Sequence, residues 1–181
     1  KPDVFVSGGC YVEKAGRHGE GKAVDIDAFH WHEDSNSGGM TARSLVTRDA
    51  FKNFVTARWY LGIEAILRQH FGTVLGFHYN SAPEDHWHVD NGTPPGWREG
   101  SRARVVFLQA ALVHVFGHVL DIDGILGPKT RGAWEFTVGK LDDDHVRWEM
   151  LLARVVDRAN GVAGSGWRGG DVEWAPAAAL A

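Results

Sequence analysis

With 181 residues, 44% of them hydrophobic and 23% charged, the chain has room for one medium domain or two small ones of an ordinary globular kind. Its net charge of −4 offers no basic surface for a nucleic-acid partner, and no run approaches the roughly 20 apolar residues of a membrane span. One cysteine, Cys10, excludes an internal disulfide framework and any cysteine-rich zinc site, and it reads as a small hydrophobic residue. The opening "KPDVFVSGG" lacks the basic-then-apolar order of a signal peptide and has no initiator Met, so the chain reads as a trimmed or mature form.

Residues 1–46 are loop-rich, with "SGG", "AGRHGEGK" and "DSNSGGM" around one strand-like run, "AVDIDAFHW". From Thr47, "TRDAFKNFVTARWYLGIEAILRQHF" reads as a helix with Thr47 as N-cap, Asp49 in the first turn and Gly72 as the stop. Phe51, Phe54, Val55, Ile63, Ile66 and Leu67 fall at helical spacings, and Gly62 weakens the case for one unbroken element. Two short β-type runs follow, "TVLGF" and "HWHVD", joined by the turn "NSAPE". This half is predicted to be α+β, a small antiparallel sheet with helices.

"NGTPPGWREGS", residues 91–101, has linker composition. Beyond it, "RARVVFLQAALVHVFG" carries Val105, Leu108, Leu112 and Val115 on one helical side. "KTRGAWEFTVGK" starts at a Gly-Pro, where Pro128 suits a first helical position. "DDDHVRWEMLLARVVDRAN" opens on three aspartates where the helix macrodipole favours anions. These predict a C-terminal three-helix bundle, with a flexible tail over 161–181. Eight tryptophans and 23 glycines suit a carbohydrate or peptide cleft, although packing is the default role for Trp31, Trp87 and Trp97.

The ten histidines carry the chemical signal. His70, His78, His114, His118 and His145 stand alone and read as ordinary surface or core residues. Four others form two His-x-His pairs, His30/His32 and His86/His88. Residues two apart on a strand share a face, so either pair can present two imidazoles to one ion. If "VDIDAFHWH" is continuous strand, Asp25 and Asp27 share a face with Phe29 and Trp31, and His30 and His32 point the other way. In the second run His86, His88 and Asp90 share a face. A carboxylate can join His88 only from a neighbouring strand, for which Asp25 is the natural candidate. His18 lies seven residues earlier, in a loop that Gly19 and Gly21 allow to fold back onto Asp25. Two imidazoles, a carboxylate and an open fourth position make the usual catalytic zinc arrangement.

The pattern His18-x-x-Gly21-x-Ala23-x-Asp25 followed by His86-x-His88 resembles the LAS metallopeptidases, the group containing D-Ala-D-Ala carboxypeptidases and the hedgehog signalling domain. The closer resemblance, over about residues 4–92, is to the bacterial extensin-like C-terminal family, whose "FGTVLGxxYN…DHxHxD" is similar to "FGTVLGFHYNSAPEDHWHVD" at Phe71–Asp90. It implies a Zn2+ ion held by His18, Asp25 and His88. Gly16 departs from the serine common two residues before the first ligand, and the lone Cys10 departs from a cysteine pair. For the general base the resemblance offers Asp85, three residues before the last ligand, or His86, with Glu84 a weaker option. Asp90 is either a residue that orients His88 or a strand-end surface charge.

"LQAALVHVFGHVLDIDGILGPKTRGAWEF" resembles the peptidoglycan-binding domain family through Leu108, Gln109, Leu112, Asp123, Gly124, Gly127, Thr130 and Arg131. The implied organisation is a zinc peptidase domain over 1–92, a linker over 93–101 and a peptidoglycan-binding-like module over 102–160, followed by the tail. The implied function is zinc-dependent hydrolysis of a peptide bond in peptidoglycan. The alternatives are a non-catalytic wall-binding protein that keeps the fold, and an amidase cutting the sugar–peptide link. A monomer outside the cytoplasm or on the cell wall, or a phage-encoded lysin, is expected.

Overall fold

The computed structural model describes residues 4–10, 13, 15–31, 43–79 and 85–164. It is an α+β structure with one antiparallel sheet and four α-helices among the described residues. The strands are β1 (Val4–Gly9), β2 (Ala23–Trp31), β3 (Arg43–Val46), β4 (Thr73–Leu75) and β5 (Trp87–Asp90). The helices are α1 (Phe54–His70), α2 (Arg102–His114), α3 (Pro128–Val138) and α4 (Asp144–Gly164). Among the described residues no helix is long and apolar enough to cross a membrane. The turn "NSAPE", His32, Glu84 and residues 165–181 of the predicted tail lie outside the described residues, while residues 161–164 of that tail complete α4.

β2 is the spine of the sheet. One of its edges pairs with β1; the other pairs with β5 over Ala23–Ile26 and with β3 over Ala28–Trp31, and β4 lies outside β5. Asp27 is skipped in the ladder, because Val6 faces Ala28 and Ser7 faces Ile26. Such a bulge shifts the side-chain alternation by one. Val24 and Ile26 pack in the core before it, and Phe29 and Trp31 after it. The continuous-strand expectation, which grouped Asp25 with Phe29 and Trp31, is therefore corrected: the bulge puts Asp25 on the outward face and those aromatics inward.

A second correction concerns Thr47. It begins a short 3₁₀ helix, Thr47–Lys52, and α1 is capped by Asn53, whose Oδ1 accepts from the N–H groups of Val55 and Thr56 at 3.0 Å each. The buried Thr47 hydroxyl instead meets the carbonyls of Asp27, at 2.9 Å, and Asp85. The buried face of α1 is also wider than the predicted one. Val55 is buried and Ile63 and Leu67 pack on the core as expected. Tyr60, Leu61, Gly62 and Ala65 are buried as well, and Ile66 is exposed. Gly62 does not interrupt the helix. A Cβ there would sit 2.4 Å from the Ala159 Cβ, so glycine is what lets α4 lie against α1. Cys10 is exposed rather than packed as a small hydrophobe.

The core is continuous from Ile26 through α1 and α2 to Val155. Residues 104–112 of α2 are buried without a gap, as befits a helix surrounded on all sides. Trp97 inserts from the preceding stretch between Trp134 and Trp148, with ring centroids 4.7 and 5.2 Å away. Gly72 supports the same region, since a Cβ there would lie 1.5 Å from the Thr93 carbonyl oxygen. Trp31 and Trp87 also pack rather than line a cleft: Trp31 lies against Phe29 and Trp59, and Trp87 is fully buried.

His78 and His114 stack with centroids 5.3 Å apart, both against Phe51, and among the described residues neither buried Nε2 has a hydrogen-bond partner. Burial, and then the neighbouring His114, lower the His78 pKa from 6.5 to about 4. Its folded pKa lies below its unfolded one, so the unfolded chain binds the proton first. Stability should be undiminished above pH 6.5, fall as the pH drops toward 4, and lose about 3 kcal/mol by then. Urea midpoints across that window should show the loss, and His78→Phe should remove most of it.

Candidate metal centre

α1 backs the sheet, with Tyr60 stacked on Trp87 at 4.2 Å. Alternation along β5 therefore sends Trp87 inward and His88 outward. Asp25 and His88 are direct cross-strand partners, so both side chains leave the same face side by side. His18 comes from a loop that closes on itself: Gly21 N–H donates to the His18 carbonyl at 3.0 Å and Lys22 N–H to the Arg17 carbonyl at 2.8 Å. The glycines that permit this are Gly16 and Gly21, with φ of +111° and +66°. The expectation had named Gly19 and Gly21. A serine at Gly16 would be strained at this φ.

The three side chains converge. His18 Nε2 is 3.1 Å from Asp25 Oδ1 and 3.0 Å from His88 Nδ1, and His88 Nδ1 is 3.0 Å from Asp25 Oδ1. His18 is buried, and the other two are partly so. At most two N–H protons can serve these three contacts, so hydrogen bonding alone does not satisfy all of them, whereas three deprotonated donors would be matched by a cation between them. A tetrahedral zinc ion with bonds of about 2.0–2.1 Å holds its ligand atoms about 3.3 Å apart, a few tenths of an ångström wider than this triangle. The donor set therefore fits such an ion. Among the described residues this is the group that could hold a metal ion.

The flanking residues separate into two roles. Asp90 is buried, which corrects its reading as a surface charge. Its Oδ2 lies 3.2 Å from His88 Nε2, and its Oδ1 accepts from Gly92 N–H at 2.6 Å. Burial pushes the Asp90 carboxyl up, but the bonds from Gly92, His88 and Thr73 outweigh it and leave the group below its ordinary value. An ionised Asp90 accepts the Nε2–H of His88 and leaves Nδ1 as the lone pair facing the triangle. Thr73, opposite Asp90 on β4, was not singled out in the sequence, since only the strand register reveals it.

His86 sits beside the triangle, not in it. Its Nε2 is 3.6 Å from Asp25 Oδ1, and its Nδ1 is 2.9 Å from Asp85 Oδ1. The hydrogen bond to His86 holds the exposed Asp85 carboxyl below its usual range. Asp85 and His86 thus form one hydrogen-bonded unit whose imidazole, not its carboxylate, reaches toward Asp25. The buried Thr47 hydroxyl anchors the Asp85 backbone, a support no sequence signal announced. His30 takes no part, since its Nδ1 bonds the Ser44 hydroxyl at 2.7 Å.

An antiparallel sheet that carries a His–Asp–His cluster on its outward face, backed by a helix, defines the class of this protein. The chain belongs to the extensin-like protein C-terminus family, which matches residues 9–99 and so takes in the triangle, α1 and Trp97. No curated protein and no solved structure matches the chain.

Proposed function

We propose that this chain is a zinc-dependent peptidase acting on peptide bonds of peptidoglycan, with the ion held by His18 Nε2, Asp25 Oδ1 and His88 Nδ1. The observation that carries this reading is the triangle of three ligand atoms 3.0–3.1 Å apart with a separate imidazole beside it. When bound, the ion supplies Lewis acidity, lowering the pKa of a water to about 7 and polarising a carbonyl. His86 Nε2 takes up the water's proton and returns it to the leaving amine. Asp85 accepts the Nδ1–H of His86, which fixes the tautomer and steadies the imidazolium that forms. Asp90 does the corresponding service for His88. The substrate class is supported by the resemblance to LAS metallopeptidases and by that of the helical region to peptidoglycan-binding domains.

Soluble muropeptides incubated with the protein should release new amines, detected by mass spectrometry. A chelator should stop this, and added Zn2+ should restore it. Stoichiometric zinc binding with no fragment released would leave a metal-binding wall protein instead. Replacing Asp90 by Ala should weaken zinc binding by about 10- to 100-fold, measured by competition with a chromophoric chelator. Unchanged affinity would mean that the Asp90–His88 bond does not tune the site.

A further inference from the structure

The motif residues of the helical region are occupied with one another. Gln109 is fully buried; its Nε2 donates to Asp123 Oδ1 at 2.8 Å, to the Ile125 carbonyl at 3.1 Å and to Thr130 Oγ1 at 3.3 Å, and its Oε1 accepts from Gly124 N–H at 2.8 Å. Those groups hold the turn at Asp123–Gly124, and Arg131 is spent on Glu99 and Asp144. A separate set of polar groups lies at the end of α3.

There, a cleft of about 390 Å³ opens between the chain just after α2, the end of α3 and the outer face of α4. Phe116, His118, Phe136, Thr137, Arg154 and Arg158 line it, together with Asp157. Arg154 and Arg158 stand one helical turn apart, so their like charges face the same opening. Among the described residues neither pairs with a carboxylate. Arg154 spends one nitrogen on the Thr137 carbonyl, and Arg158 lies over the Phe116 ring at 5.3 Å. The positive field is felt on α1 as well: burial, and then Arg158, lower the Arg58 pKa. At the mouth, Phe136 is 78% exposed, its ring edge-on to His118 at 5.8 Å. His118 is itself fixed by a 2.8 Å bond to Thr137 Oγ1, whose own proton goes to the Ala133 carbonyl.

We infer that this cleft is a second ligand site, which binds the C-terminal residue of a short peptide. Arg154 and Arg158 take the carboxylate, Asp157 accepts an N–H of the same residue, and Phe116 and Phe136 flank a small apolar side chain. Two guanidiniums one turn apart suit a two-oxygen anion. The carboxylate of Asp157 among them disfavours a bare phosphate and favours a ligand that brings its own donor. Nothing in this site touches the His18–Asp25–His88 triangle, so the inference stands apart from the proposed hydrolysis.

The test uses the full chain carrying His88→Ala, so that the triangle cannot capture the peptide. N-acetylalanylalanine titrated into this chain should give saturable NMR shifts at Phe136, Thr137 and residues 154–158. The C-terminal amide of the same peptide should bind at least about tenfold more weakly, and so should the Arg154→Gln/Arg158→Gln chain. Arg158→Gln alone removes a side chain with no hydrogen bond among the described residues, which keeps the result clear of misfolding. The inference is overturned if no saturable shifts appear, or if the amide or the arginine variants bind as well as the parent. It is also overturned if the shifts gather around His18 and Asp25, or if inorganic phosphate displaces the peptide at equal concentration.

Discussion

A His86→Ala chain should keep its zinc and lose about 100- to 10,000-fold in kcat, whereas a His88→Ala chain should lose both metal and activity. The difference follows from position. His88 Nδ1 lies 3.0 Å from both other ligand atoms, while His86 falls outside the group whose ligand atoms are all within 4.8 Å of one another. His86 does come within 3.6 Å of Asp25 Oδ1, which is the basis for proposing it as the base. Asp85 faces the opposite ring nitrogen at 2.9 Å and is exposed, so under the proposed mechanism it would act only through the imidazole. Asp85→Asn should therefore cost much less, about tenfold, because an amide oxygen can still accept from Nδ1–H. Metal content by atomic absorption and muropeptide turnover separate the outcomes. Loss of zinc in His86→Ala would make His86 a ligand. Full activity in that chain would remove it as the base and return the role to an acidic neighbour.

The same comparison shows what the sequence could convey. His18, Asp25, His86 and His88 were legible because each lies within a few residues of a glycine-bearing loop or on a strand, where chemistry-bearing side chains at spacings of two share a face. Which of the adjacent side chains Asp85 and His86 is turned toward Asp25 was not legible. It depends on the local backbone, which the Thr47 hydroxyl, from a segment far away in the chain, bonds at the Asp85 carbonyl. The bulge at Asp27 was equally hidden, since nothing in "AVDIDAFHW" marks where two different partner strands meet end to end on one edge of β2. Thr47 and Asn53 are both good N-cap residues. Only the tertiary use of the Thr47 side chain decides between them. Gly62 looked like a weak point of α1 because its reason, the Ala159 methyl group, is almost a hundred residues downstream. In α2 the apolar side of Val105, Leu108, Leu112 and Val115 was legible, but burial all round the helix, Arg104 and Gln109 included, was not, because it depends on what packs on the opposite side.

Replacing Arg68 with Met should destabilise the protein by about 3–5 kcal/mol. Arg68 and Glu64 lie one turn apart on α1 with side chains only 4% and 5% exposed. The guanidinium gives two bonds to Glu64 Oε1, at 2.7 and 3.0 Å, and Nη2 also reaches the carbonyls of Val74 at 2.9 Å and Ala103 at 3.0 Å. One side chain thus ties α1 to β4 and α2. Its loss strands two carbonyls and a carboxylate that burial already pushes up and that Arg68 holds down. Without Arg68 the Glu64 pKa rises further above its unfolded value. The stability it leaves is then present at low pH and lost as the pH rises through the folded pKa, so the penalty should be smaller in mildly acidic than in alkaline buffer. Glu64→Leu combined with Arg68→Met should recover much of the loss, because no buried charge remains, and a denaturation cycle over the four chains would measure the coupling. If the double variant were no better than Arg68→Met alone, the carbonyl bonds rather than the ion pair would be the dominant contribution. The effect should reach the metal centre as well. Glu64 Oε2 accepts from Trp87 Nε1 at 3.4 Å, and Trp87 is the inward neighbour of His88 on β5. A looser Trp87 gives His88 more freedom to leave the triangle, so the folded Arg68→Met chain should bind zinc more weakly without any change to a ligand.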